Sequence, residues 1–264
     1  MTKSTSPTRF DEVTAVRRLL LPWLTDRVVP QDCIATVGLV LFDFDGPMCS
    51  LFHRYESDAV RDAVLDALNA DGSVPRRLLR ERNAHTLLRT MWQQGSEHVE
   101  RANKDLTDQE SFAAGSALPT PHARELMELL AAAGITMAIT SNNSAVAIRV
   151  YLERNGLTDY FGDRIYARGE DPGLMKPNAH TLTTAVALVR PVGATVLLGD
   201  SVSDAEAAWR AGVAFIGCVH PADLGRLRKL RRWRNVWRLR RAGADVVVRD
   251  LSAVLAAFAV RTGI

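Results

Sequence analysis

No stretch of this 264-residue chain is long and apolar enough to cross a bilayer, and its first residues, MTKSTSPTRFDEV, lack the basic-then-apolar layout of a secretory signal. A cytoplasmic location is the resulting expectation. Cysteine is scarce: Cys33, Cys49 and Cys218 form an odd set without CxxC spacing, which excludes a disulfide framework and a thiolate zinc site. Aromatic residues are only 6% of the chain, so a core drawn from its 47% hydrophobic content must be mainly aliphatic. There is no internal repeat. Acid is missing from one segment: residues 226–241 hold nine Lys or Arg and no Asp or Glu. The formal net charge of +3 therefore describes that segment, and the rest of the chain is net acidic.

What is present is a set of short, continuously apolar runs separated by helical patterns. Residues 37–44, VGLVLFDF, read as a strand buried on both faces, with Asp43 and Asp45 at its carboxyl end and Gly46 following. Further strands are expected at 135–140, 164–167, 194–198, 213–219 and 245–248, with helices at 121–133, 144–155, 178–189 and 203–211 between them. This alternation predicts an α/β fold: a doubly wound, parallel, Rossmann-like sheet. Open sheets of this kind bind ligands at the carboxyl ends of their strands, where the paired aspartates stand. Before the sheet, Val13, Val16, Leu20, Trp23 and Leu24 recur at helical spacing, which predicts an amphipathic helix within a 1–36 extension. Between Gly46 and Thr120 no strand is evident; helical stretches at 56–70, 75–94 and 97–113 suggest a small helical insert.

Four motifs follow one another on the expected elements: DFDG after the first strand, Ser141-Asn142 after the second, Lys176 before Pro177 in a loop, and GDSVSD from Gly199 to Asp204. In that order they resemble the haloacid dehalogenase-like (HAD) hydrolase superfamily, in its phosphatase-type branch with a helical cap, which includes phosphoglycolate phosphatase and β-phosphoglucomutase. The resemblance spans roughly Val37 to the C-terminus. It implies a core of residues 37–47 and 119–264 and a cap of residues 48–118. It also implies an aspartyl-phosphate mechanism on a small phosphorylated metabolite, with Asp43 as nucleophile and Asp45 as general acid and base.

A phosphate dianion beside carboxylates needs cations. Mg²⁺ held by Asp43, Asp45 through its backbone carbonyl, Asp200 and the supporting Asp204 would answer this, with Lys176 as the fixed ammonium. A purely structural reading also exists: Asp200 or Ser203 as the N-cap of the helix that follows, with Asp204 complementing its dipole. Ser141, Asn142 and Gly46 are the expected phosphoryl-binding groups, and Ser141 could equally be an N-cap. One position departs from the family pattern: Pro47 replaces the usual threonine, removing a hydroxyl and an N–H.

In the cap, Arg54 is a candidate substrate contact beside His53 and Tyr55, whereas Arg76, Arg77, Arg80 and Arg82 read as a solvated face. Asp45 argues against a dehalogenase, and with Lys104 as the cap's only lysine, against a phosphonatase. A phosphomutase stays open. The basic segment raises a second class of reading, a nucleic-acid or membrane-binding protein with a vestigial site. Its plainer reading is a surface helix whose Leu227, Leu230, Trp233 and Trp237 pack on the sheet.

Overall fold

The computed structural model describes residues 9–20, 37–52, 62, 65–66, 81, 83–219 and 229–262. In chain order its elements are α1 (Arg9–Leu20), β1 (Val37–Phe42), β2 (Cys49–Ser50), α2 (Ala84–Gln93), α3 (Val99–Ala114), β3 (Leu118–Pro119), α4 (Ala123–Ala132), β4 (Thr136–Ser144), α5 (Ala145–Arg154), α6 (Thr158–Phe161), β5 (Ile165–Arg168), α7 (His180–Val189), β6 (Ala194–Gly199), α8 (Val202–Ala211), β7 (Ala214–Cys218), α9 (Lys229–Arg241), β8 (Val246–Val248) and α10 (Leu251–Thr262).

Six strands form a parallel sheet in the order β5-β4-β1-β6-β7-β8. Parallel strands need cover on both faces, and the two cores supply it. On one side α1, α4, α5 and α10 pack around Val40, Phe42, Ile139, Val196 and Ile216; on the other α7, α8 and α9 cover Leu39, Leu41, Leu197 and Phe215. After β1 the chain passes to β4 on one side and later returns to β6 on the other. The direction of winding therefore switches at β1, and a crevice opens at its carboxyl end. The fold is the expected doubly wound α/β sheet.

A third, small core lies outside these layers, where Leu87, Leu88 and Met91 of α2 meet Ala102 and Leu106 of α3, with Leu65 and Met175. Most of the insert before α2, including Arg76, Arg77, Arg80 and Arg82, lies outside the described residues; of the helix expected at 56–70 only Asp62, Leu65 and Asp66 are described, and all three are helical.

Several expectations need correction. The insert is bounded by two strands, not by helices alone: β2 pairs antiparallel with β3, tying together the points where the chain leaves and re-enters the sheet. Two-residue strands carry no periodicity to read. The pieces expected at 97–113 are one helix, α3. The helix expected from Pro121 starts at Ala123, because His122 is left-handed with φ of 67°. Strand β4 runs on to Ser144, held by tertiary hydrogen bonds described below, so Ser144 and not Ser141 caps α5. Helix α10 was not anticipated.

The N-terminal helix does dock, on α10 and β8: Val16 is fully buried, and Glu12 accepts hydrogen bonds from Arg249 Nε (2.7 Å) and N (3.1 Å). Trp23 and Leu24 lie outside the described residues. In α9 the packing face is Leu239 with the partly buried Val236, whereas Trp237 is 48% exposed. The expected burial of the Trp–Leu stripe therefore fails at Trp237. Leu227 is outside the described residues. No described helix is long and apolar enough to cross a membrane.

Candidate active site

The loops at the carboxyl ends of β1, β4 and β6 converge with the loop after β5 on a cavity of about 190 Å³. Its walls include Asp43, Asp45, Asn142, Lys176, Asp200 and Asp204 from the sheet side, and Asn83, His85, Thr86 and Arg89 from α2 and its cap. Residues up to 161 positions apart in sequence thus share one crevice because the sheet places their strand ends side by side.

Lys176 is the hub. Its ammonium, only 1% exposed, lies 2.9 Å from Asp43 Oδ1 and 2.5 Å from Asp204 Oδ1, and donates to the Thr140 carbonyl at 2.8 Å. A buried charge is tolerated only with such partners. Burial works against its charge, but Asp204 and Asp43 together raise its pKa above the ordinary lysine range. Its backbone is pinned too: Lys176 N donates to Asn142 Oδ1 (2.7 Å), and its carbonyl accepts from Asn142 Nδ2 (2.9 Å) and Arg89 (3.0 Å).

Asp43 is pushed up to about 7, first by burial and then by the neighbouring Asp204 carboxylate, with Lys176 pulling the other way. Asp204 has a partner on each carboxylate oxygen. Its Oδ2 accepts from Ser201 N (3.0 Å) and Ser201 Oγ (2.6 Å) in a capping box at the start of α8, while its other oxygen faces Lys176. The N-cap is Ser201, not Asp200 or Ser203. One oxygen from each of Asp43, Asp200 and Asp204 lies within 4.8 Å of the others.

That donor set fits a hard divalent cation such as Mg²⁺: all donors are oxygens, and the repulsion that raises Asp43 is what a cation would offset. Gly46 has φ of 115°, and a Cβ there would meet the Asp200 carboxylate at 2.6 Å. The glycine therefore lets the β1 loop lie against Asp200; it does not line the cavity.

Asp45 accepts from Leu51 N at 2.8 Å, which orients its carboxylate and ties it to the strand leading into the insert. Its carboxylate is not part of the acidic cluster. Ser141 is buried, and its hydroxyl is engaged with Asn143 as donor to Oδ1 and acceptor from N, each at 3.1 Å; it stands behind the cavity wall. Arg54 lies outside the described residues.

Two features escaped the sequence reading. The first is an ion pair sealed between α3 and the end of β5. Glu110 accepts from Arg168 NH1 (2.7 Å) and NH2 (3.0 Å), lies 2.9 Å from His85 Nε2, and also accepts from Asn143 Nδ2 (3.1 Å) and Ser144 N (2.8 Å). Burial would raise the Glu110 carboxyl, but Arg168 and His85 hold it down to about 2. This cluster extends β4 to Ser144 and clamps the insert to the sheet beside the cavity. No motif or local pattern in the sequence marks either residue.

The second is Thr120, whose hydroxyl donates to the Gly46 carbonyl at 2.5 Å while its N–H donates to the Met48 carbonyl at 3.0 Å. Pro47 removes a hydroxyl from this loop, and Thr120 supplies one from across the β2–β3 pair.

Comparison with known proteins agrees with this arrangement. A curated phosphoglycolate phosphatase of Agrobacterium fabrum is 35% identical over 104 residues, 39% of this chain and 44% of that relative, so the match spans less than half of its length. Among solved structures, CbbY of Rhodobacter sphaeroides in complex with phosphate aligns with a TM-score of 0.60 at 18% identity, covering 85% of this chain and all of that one. A predicted phosphatase of Clostridium acetobutylicum aligns with a TM-score of 0.58 at 17% identity, covering 83% and 96%. At such identities these structures speak for the fold. The family model for haloacid dehalogenase-like hydrolases matches residues 37–212, and the chain belongs to that family.

Proposed function

We propose that the protein is a Mg²⁺-dependent phosphatase that hydrolyses a small phosphomonoester through an aspartyl-phosphate on Asp43. The observation that carries this reading is the meeting of Asp43, Asp200 and Asp204 within 4.8 Å, with the Lys176 ammonium 2.9 Å from Asp43. Asp43, Asp200 and the Asp45 carbonyl would hold the cation, with Asp204 supporting it. When bound it would neutralise charge on the phosphoryl oxygens and on the nucleophile.

Lys176 holds Asp43 in place, favours its ionised form and offers a second positive charge to the phosphoryl group. Asp43 attacks phosphorus as the ester P–O bond breaks, and Asp45 delivers a proton to the departing alkoxide. Asp45 then takes a proton from the water that cleaves the acyl phosphate, returning Asp43 to its free carboxylate. The hydrogen bond from Leu51 N aims Asp45 for both transfers. Residues 48–118 act as a cap that keeps other water away, and the cavity of about 190 Å³ matches a small substrate. The phosphoglycolate phosphatase among its relatives supports the same substrate class.

The test is hydrolysis of a chromogenic aryl phosphate by wild type and Asp43→Asn, each with Mg²⁺ or with a chelator. Activity should need Mg²⁺ and fall to background in the variant. Undiminished hydrolysis in chelator, or by Asp43→Asn, overturns the mechanism.

A further inference from the structure

Helices α7, α8 and α9 form one layer, and each runs from the carboxyl edge of the sheet, where the cavity lies, toward the opposite edge. Among the described residues, the C-terminal parts of these helices and the loop after α7 bear large exposed apolar side chains: Leu188 is 69% exposed, Val192 88%, Trp209 76% and Trp237 48%. Large exposed apolar groups beside exposed charge mark an interaction surface.

Helix α9 adds charge. Leu239 and Val236 anchor it, and Leu239 fits closely against Gly217, where a Cβ would come within 3.1 Å of it. Trp237 sits about 200° around the helix from Leu239, so this anchoring turns the indole outward. Around Trp237 stand Arg234, Arg238, Arg240 and Arg241, all exposed and none in an ion pair among the described residues; the Arg241 guanidinium lies 5.1 Å above the Trp237 ring.

We propose that this face docks on an anionic lipid bilayer. Guanidinium groups would bind headgroup phosphates and carboxylates, the indoles of Trp237 and Trp209 would sit at headgroup depth, and Leu188 and Val192 would enter the acyl boundary. A second copy of the chain is the wrong partner, since its own arginines would oppose these. Nucleic acid would satisfy the arginines but has no use for Leu188 and Val192. Docking in this pose leaves the catalytic cavity facing away from the bilayer and open to substrate.

The test is flotation of the full chain with phosphatidylcholine vesicles, with and without phosphatidylserine, at low and high salt, beside a single-stranded oligonucleotide. Binding should require phosphatidylserine, weaken with salt and shift tryptophan emission to the blue. Combined Arg234→Glu, Arg238→Glu and Arg241→Glu should reduce partitioning on the order of a hundredfold. Trp209→Ser with Trp237→Ser should abolish the emission shift and weaken binding, with circular dichroism unchanged in each variant. Asp43→Asn should bind like wild type, which separates this surface from the catalytic reading. No binding to phosphatidylserine vesicles by the wild-type chain overturns the proposal, as does vesicle binding indifferent to the tryptophan substitutions or oligonucleotide binding in its place.

Discussion

Two buried carboxylates, Asp43 and Glu110, show how neighbours decide what a residue does. Both are stripped of water, and burial pushes both upward. Asp43 has another carboxylate beside it and one shared ammonium, so it rises to about 7. Glu110 has a guanidinium to itself with two hydrogen bonds, and falls to about 2 from an ordinary 4.5. A depressed acid stabilises the fold above its unfolded value, and that contribution is lost as pH falls from about 4.5 through about 2. Urea unfolding of wild type at stepped pH should show a loss of stability in that window. Glu110→Gln should flatten the slope while costing about 3–5 kcal/mol at neutral pH, because Arg168 is left buried without its counter-charge. An equal slope in the variant would show that other carboxyls carry the acid sensitivity.

Short elements do much of the positioning. The pair β2–β3 is two residues long, yet it carries Thr120 to the Gly46 carbonyl and brings Leu51 N to Asp45. Thr120→Val keeps the volume and removes the hydroxyl, so the β1 loop loses a buried hydrogen bond worth about 1 kcal/mol. Turnover of an aryl phosphate should fall several-fold through kcat with KM little changed, since the loop orients reacting groups more than it binds substrate. A change confined to KM would place Thr120 in substrate binding instead.

At the scale of the whole molecule, a cation bound among Asp43, Asp200 and Asp204 would offset their mutual repulsion. A cation that binds the native chain alone stabilises it by mass action, by about 2.7 kcal/mol at a hundred times its Kd. Thermal melting should therefore rise with MgCl₂ and return on chelation, and Asp200→Asn should lose most of the shift. A melting temperature indifferent to Mg²⁺ would remove the cation from the site. The sheet explains where the chemistry gathers: at the crevice where strands β1, β4 and β6 finish.

The six strands of the parallel sheet, the sheet class and the members Asp43, Lys176, Asp200 and Asp204 were legible in the chain itself, because apolar runs mark buried strands and the motifs sit near their ends. The partners that give those residues their roles were not. That Asp204 both joins the capping box of α8 and pairs with Lys176, that Glu110 and Arg168 form a sealed pair, and that α9 buries Leu239 and leaves Trp237 outside all depend on which distant surfaces meet. Local periodicity reports what a residue's own element needs. Only the packed structure decides which charges share a low-dielectric space and which side of a helix faces water.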